Sequence, residues 1–473
     1  MQIQTDQSLL AESEWQQLQA QAANFLARVT AKVVATCLDN TPAFLAIDVA
    51  ARNMGLVHVP LPVFFTPEQM QHALKSAGAD TLVVHQANAS NWSHSQRTDF
   101  SLLTETLACI RLAGSMCVMP KGTSKITFTS GTTGQPKGVC LSTVGMWAVA
   151  KSLVSATEPM RLTRHLNALP FSVLLENIAG VMAPEEIGAT LITLPLVQLG
   201  WRGASGFDVT MFHAAVVRHQ PNSMVLLPQM LRAWCAYLVQ TKQTAPACIR
   251  LVAVGGAPVG VALIHQAQQL GLPVFEGYGL SEGASVQTLN LPNAMCAGSV
   301  GKPLPHASVR IAEDGEIEVR GSLMLGYLGE HPLTSEWWPS GDLGRLDGEG
   351  YLHIEGRKKN VLITSFGRNV SPEWVETVLR SCSGIQEAVV FGDGQPQLSA
   401  VIWPIDTSAS AEELTNVVAS AVAAANAQLP DYAHIAKQVV ADLSFSVQSG
   451  MSTANGRPRR EAIFKTYATQ LGL

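Results

Sequence analysis

The stretch ITFTSGTTGQPKGV, residues 126–139, gathers glycine, serine and threonine and sets Lys137 near its end. Hydroxyls and backbone N–H groups on a pliable loop are how a chain wraps an anion, phosphate above all. A Walker A loop requires a glycine followed at once by lysine and a hydroxyl residue. Here Lys137 follows Pro136 and precedes Gly138, so that reading fails. Pro136 also biases Gln135 away from the helical region, so the loop does not run directly into a helix. By composition alone the cluster reads equally as a linker. Taken singly, three residues further on read blandly: Tyr278 as a core tyrosine, Glu282 as a solvated loop glutamate and Asp342, after Gly341, as a turn aspartate.

The elements that must position them alternate along the chain. SEWQQLQAQAANFLARV sets Trp15, Leu18, Ala22, Phe25 and Leu26 at helical spacing after a Ser13 cap. LVHVPL reads as a strand, TPEQMQHALKSAGA as a capped helix and TLVVH as a strand; QANASNWSHSQRTD reads as a surface loop. The alternation returns in PNSMVLLP, QMLRAWCAYLVQ, IRLVAVGGAP and VALIHQAQQLG, the pattern of βαβ units and parallel sheets. Beyond residue 305, SVRIAEDGEIEVRG and RLDGEGYLHIEGR read as hairpins. From Ser371 the order is helix, strands and a long Ala-rich helix. The fold class is α/β: a large N-terminal part of several βα layers, residues 1–356, and a small α+β lobe, residues 357–473.

The chain has 473 residues, 47% hydrophobic and 14% charged, so it can bury large cores. A net charge of -5 supplies no field for nucleic acid. The eight cysteines are dispersed without a C-x-x-C pair, which argues against a disulfide framework or a zinc site. The first residues lack the pattern of a signal peptide, and no apolar run is long enough to span a bilayer. The expectation is a cytoplasmic, multidomain protein without a membrane span.

TFTSGTTGQPKGV resembles the phosphate loop of the adenylate-forming superfamily, which holds acyl-CoA synthetases, luciferases and peptide-synthetase adenylation domains. Companion segments follow in the family's order: LVAVGGAPV, EGYGLSE, WWPSGDLG, GRKKNVLITSFGRNVSPEWVE and TANGRPRR. The resemblance runs from about residue 45 to 465 and is nearest to the long-chain fatty acyl-CoA synthetase branch. It implies ATP-dependent activation of a carboxylic acid to an acyl-adenylate, with pyrophosphate released. Transfer to a thiol follows, from CoA or the phosphopantetheine of an acyl or peptidyl carrier protein.

The resemblance also implies residue roles. Thr129, Ser130, Gly131, Thr132, Thr133, Gly134 and Lys137 hold the β- and γ-phosphates. Gly255, Gly256, Ala257 and Pro258 line the adenine pocket, with Tyr278, Gly279 and Ser281 beside them. Glu282 holds Mg²⁺, Asp342 and Arg357 take the ribose, Lys359 is the hinge of a mobile lobe, and Gly367 lets pantetheine approach. Arg457 stands where the family has the lysine that bridges the acid and the α-phosphate. Arginine keeps the charge but is longer and forked, and such an exchange is not conservative at a tight site. It opens an alternative, a nucleotide-binding homologue impaired in adenylation. Ser281 replaces the usual threonine, and Asn360 the usual acidic residue after the hinge. RHLNALPFSVLLENIAGV puts Val173 or Leu174 at the family's histidine or aromatic position and points to an acid with an apolar tail. His165 and His219 read as surface or core histidines rather than bases.

Overall fold

The computed structural model describes residues 1–92, 96–114, 117–129, 136–203, 206–366, 368–453 and 456–472. Its first sheet is built from the βαβ units that the sequence predicts. Val33–Cys37 pairs in parallel with Val57–Pro60 on one side and Thr81–His85 on the other. The helices between them are Pro42–Asn53 and Pro67–Ala77. The second is closed by a capping box in which Thr66 and Gln69 satisfy each other's backbone N–H groups. Lys125–Thr129 and Lys137–Leu141 then join the sheet as an antiparallel pair. The residues after Pro136 are therefore a strand and not a helix.

A second sheet runs through Arg164–Leu166, Ser223–Leu226, Leu251–Val254 and Val274–Leu280, all parallel. The amino-terminal strand Gln2–Gln4 extends it by pairing with Thr190–Ile192. Helices Glu12–Arg28 and Pro42–Asn53 pack against both sheets, so Val34 and Leu191 share one core. Ala43 through Ala51 are buried without interruption, which explains why this helix is apolar nearly all round. Its exception is Asp48. Lys125 Nζ lies 2.8 Å from Asp48 Oδ1, and His58 Nδ1 meets the same oxygen. Burial works against the charge of Asp48, yet Lys125 and His58 hold its carboxyl well below the usual carboxylate range. This buried cluster fixes the strand that leads into the glycine-rich loop.

The hairpins beyond residue 305 form an antiparallel sheet of Ser308–Ile311, Glu316–Arg320, Trp338–Leu346 and Leu352–Arg357. Asp342 sits inside the strand Trp338–Leu346 rather than in a plain turn. The carboxy-terminal part packs helices Pro372–Ser381, Ala411–Asn426 and Arg460–Leu471 on the strands Ile385–Phe391, Leu398–Pro404 and Ile435–Val440. Trp15, Leu18, Ala22, Phe25 and Leu26 are all buried, as their spacing predicts. Ser13 is not the cap of their helix. The helix begins at Glu12, and the Glu14 carboxylate accepts from the Ala11 N–H at 2.8 Å. Among the described residues no helix is long and apolar enough to cross a membrane.

Candidate active site

One cleft of about 2580 Å³ collects the predicted residues that are described. The hairpin supplies Thr129 and Lys137, which are cross-strand partners. Ser130, Gly131, Thr132, Thr133 and Gly134 lie outside the described residues. Lys137 is half exposed, 3.3 Å from Glu330 Oε1, with its ammonium 4.7 Å from the centre of the Tyr327 ring. The Tyr327 hydroxyl donates to Glu282 Oε1 at 2.7 Å. Burial and the adjacent Glu282 charge push the Tyr327 hydroxyl pKa up, so it stays a donor. Lys137, Tyr327 and Glu282 thus form a chain from the hairpin to the candidate cation ligand. Tyr327 carried no motif. It arrives because Gly326–Tyr327 pairs with the strand that Lys137 opens.

Gly255, Gly256, Ala257 and Pro258 leave the end of Leu251–Val254 and line the cleft. Tyr278, Gly279, Ser281 and Glu282 lie at the end of the neighbouring strand and the turn after it. A β-bulge falls between Tyr278 and Gly279, where a Cβ on Gly279 would come within 2.2 Å of the Ser285 carbonyl oxygen. Only glycine permits that approach.

Asp342 and Arg357 are cross-strand partners, which brings two distant motifs together. Asp342 accepts from the Tyr278 hydroxyl at 2.7 Å, and Arg357 Nε lies 2.8 Å from its other oxygen. Burial raises the Asp342 pKa, while Arg357 and the Tyr278 hydroxyl favour its charged form. The pair fixes a carboxylate beside the tyrosine ring.

Arg457 enters from the carboxy-terminal part. Its Nη2 donates to the Gly256 carbonyl oxygen at 2.8 Å. Its backbone is held by Thr453, whose N–H donates to the Arg457 carbonyl at 2.7 Å. The guanidinium lies within electrostatic reach of Arg357, Asp342 and Glu282. Gly456 before it has φ +74°, and a Cβ there would come within 2.7 Å of Gln229 Nε2. Lys359 is exposed in a single helical turn, Lys358–Asn360, on the cleft wall. Asn360 Nδ2 donates to Glu373. Gly367 lies outside the described residues.

Glu276 is a wall residue that opens the EGYGLSE segment, where the resemblance gives it no role. It is buried, accepts from the Val259 N–H at 3.0 Å, and burial pushes its carboxyl up to about 7. Val173 and Leu174 both line the cleft where it continues into an apolar arm. The arm runs between the sheet face carrying Val225 and Ala253 and a helical layer carrying Val154 and Ala179. Part of that layer, Glu176–Met182, is π-helical, a geometry frequent at functional sites. His165 and His219 are both buried, and of the two only His165 is among the described cleft-lining residues.

Comparison with known proteins bears on the family and the fold. Residues 13–328 match the model of the AMP-binding enzyme family, and residues 359–472 that of the AMP-binding enzyme C-terminal domain. Long-chain-fatty-acid--CoA ligase FadD15 of Mycobacterium bovis is 34% identical over 247 residues, 47% of this chain and 41% of that protein. Feruloyl-CoA synthase of Amycolatopsis is 29% identical over 413 residues, 78% of either protein. The chain thus aligns with less than half the length of the first of these relatives. In fold it is similar to o-succinylbenzoate CoA synthetase of Bacillus subtilis, solved with an acyl-adenylate intermediate. The TM-score is 0.77 at 23% identity, covering 98% of this chain and 94% of that one. With the family model spanning well over half of its length, the chain belongs to the AMP-binding enzyme family.

Proposed function

We propose that this protein joins a carboxylic acid with an apolar tail to the AMP moiety of ATP and then passes the acyl group to a thiol. The observation that carries this reading is the convergence of Tyr278, Asp342, Glu282 and Arg457 on one cleft that continues into an apolar arm. Tyr278 stacks the adenine and Asp342, held by Arg357, takes the ribose hydroxyls. Thr129, Lys137 and the loop between them hold the terminal phosphates. Glu282 fits Mg²⁺, because one of its oxygens is oriented by Tyr327 while the residue faces the cleft. The ion supplies charge neutralisation on the phosphates.

In the first step a carboxylate oxygen attacks the α-phosphorus, and the bond to the β-phosphate's bridging oxygen breaks. Pyrophosphate leaves with the electron pair. Arg457 lies where charge builds on the α-phosphate and orients the incoming acid. Such transfers depend on positioning and charge neutralisation rather than covalent help from the protein. In the second step a thiolate attacks the acyl carbon, the carbon–oxygen bond to AMP breaks, and AMP departs. Rotation of the residues after Lys359 exchanges the two arrangements, and Gly367 leaves space for pantetheine. CoA is the acceptor favoured by the relatives, which are named for CoA thioester formation. A carrier-protein phosphopantetheine has the same reactive end. A binding protein impaired in adenylation, the alternative that Arg457 raised, gains no support from those relatives.

The test is pyrophosphate release from Mg-ATP with a panel of carboxylic acids, with and without CoA. Release that depends on an apolar-tailed acid, with thioester appearing when CoA is added, is the expected result. ATP binding without release for any acid would overturn the reading.

A further inference from the structure

The apolar arm has a polar step in its floor. His165, Ser223 and Leu251 are direct register partners on three adjacent parallel strands, so they lie side by side at one depth. All three line the cleft. Gly255, at the nucleotide end, is four residues further along the third strand, a separation of roughly 13 Å at strand rise. The side chains between these depths, Val225 and Ala253, are apolar. His165 Nδ1 and Ser223 Oγ are 3.0 Å apart, and both residues are buried, at 4% and 2% exposure. Ser223 Oγ also donates toward the Arg164 carbonyl oxygen at 3.5 Å, so its proton has an acceptor within the fold whichever way the pair is arranged, and a lone pair on the serine oxygen is what it offers a ligand.

Behind the imidazole, His165 Nε2 is 3.7 Å from Glu176 Oε1, which accepts from Asn167 at 2.9 Å. His165 Nε2 and Glu176 Oε2 have no hydrogen-bond partner. The ring is held against Gly180, where a Cβ would come within 2.9 Å of Nε2. Between residues 138 and 231 the described lining contains no Asp, Glu, Lys or Arg; Arg232, which also lines the cleft, is engaged with the Arg380 carbonyl at 2.8 Å. Glu176, behind the imidazole, would repel a second carboxylate placed beside His165.

We propose that the His165–Ser223 pair selects an acid whose apolar tail carries a hydroxyl well away from the carboxylate. Ser223 makes the hydrogen bond and His165 positions it. A plain alkyl tail would leave the pair buried without that partner, a loss that sites built for a substrate hydroxyl use to discriminate.

This inference rests on the adenylation reading, so the experiment has two independent readouts. The first is kcat/KM for acyl-adenylate formation with lauric acid and with lauric acids hydroxylated at mid-chain and at the ω carbon. The second is calorimetric Kd for sulfamate analogues of the corresponding acyl-adenylates, which needs no catalysis. The wild type is expected to favour one hydroxylated member by about tenfold in both. Ser223→Ala should bring that ratio close to one, and Ser223→Thr, which keeps a hydroxyl in a strand, should restore most of it. A purely structural role for Ser223 would scale all acids alike and leave the ratio untouched, which overturns the proposal. A ratio near one in the wild type overturns it too. Discrimination in Kd without turnover would uphold this inference and sink the adenylation reading. Turnover without discrimination would do the reverse, and no binding of any analogue would sink both.

Discussion

At the scale of single residues, the site turns on Arg457 standing where a family lysine is expected. Its guanidinium reaches the same cleft as Asp342 and Glu282, and its bond to the Gly256 carbonyl ties it to the adenine-pocket segment. Arg457→Ala is expected to slow acyl-adenylate formation by ~10²–10³-fold. Conversion of supplied acyl-adenylate to thioester should change little; single-turnover measurement of each step checks this, and equal losses would contradict it. Glu276 gives a pH signature. Its folded pKa, about 7, lies above the usual 4.5, so between those values the unfolded chain loses this proton first. Stability contributed by the protonated carboxyl therefore falls as pH rises from about 4.5 to 7 and is level above that. Glu276→Gln should flatten that fall, by up to a few kcal/mol in urea unfolding across the window; an unchanged slope would show that Glu276 titrates normally. The motif residues were legible in the sequence because their chemistry is local: a glycine-rich loop, an aspartate after a glycine. Tyr327 and the His165–Ser223 pair were not. Strand register brings each of them to the cleft, and spacing along the chain does not encode it.

At the scale of elements, the alternation of strands and helices was readable throughout, and the errors fell at boundaries. Ser13 was expected to cap the first long helix, but the Glu14 carboxylate reaches back to the Ala11 N–H and starts the helix earlier. Asp342 was expected in a turn; pairing with Arg357 extends the strand through it. In both places an interaction a few residues or a strand away overrode the local preference. One element carries a buried ion pair with a definite cost of disruption. Glu376, on the helix Pro372–Ser381, is buried, and its Oε1 accepts from the Val390 N–H and pairs with Arg460. Burial raises the Glu376 pKa, which Arg460 opposes. Arg460→Met would leave that carboxylate unpaired and is expected to destabilise the carboxy-terminal part by about 3–5 kcal/mol. Urea unfolding followed by a probe in residues 357–473 checks it, and a loss below about 1 kcal/mol would contradict the assignment.

At the scale of the whole molecule, the order of strands was beyond the sequence. Nothing in the first residues announces that Gln2–Gln4 pairs with Thr190–Ile192, or that helices Glu12–Arg28 and Pro42–Asn53 pack against both sheets. Those are consequences of which apolar faces can be covered at once, a global condition rather than a local preference. The same packing puts the carboxy-terminal part across the cleft. Arg232 Nη1 donates to the Arg380 carbonyl at 2.8 Å, and Arg457 donates to Gly256, so two separate contacts join it to the wall of the cleft. The arrangement suits attack of an acid on the α-phosphorus, and that attack is the central claim. It predicts where one atom goes. With both carboxylate oxygens of the acid enriched in heavy isotope, turnover with Mg-ATP and CoA should leave one labelled oxygen in AMP and the other in the thioester, read by mass spectrometry. Label in the pyrophosphate or inorganic phosphate, or in neither AMP nor thioester, would contradict an acyl-adenylate and with it the account of Arg457, Asp342 and Glu282.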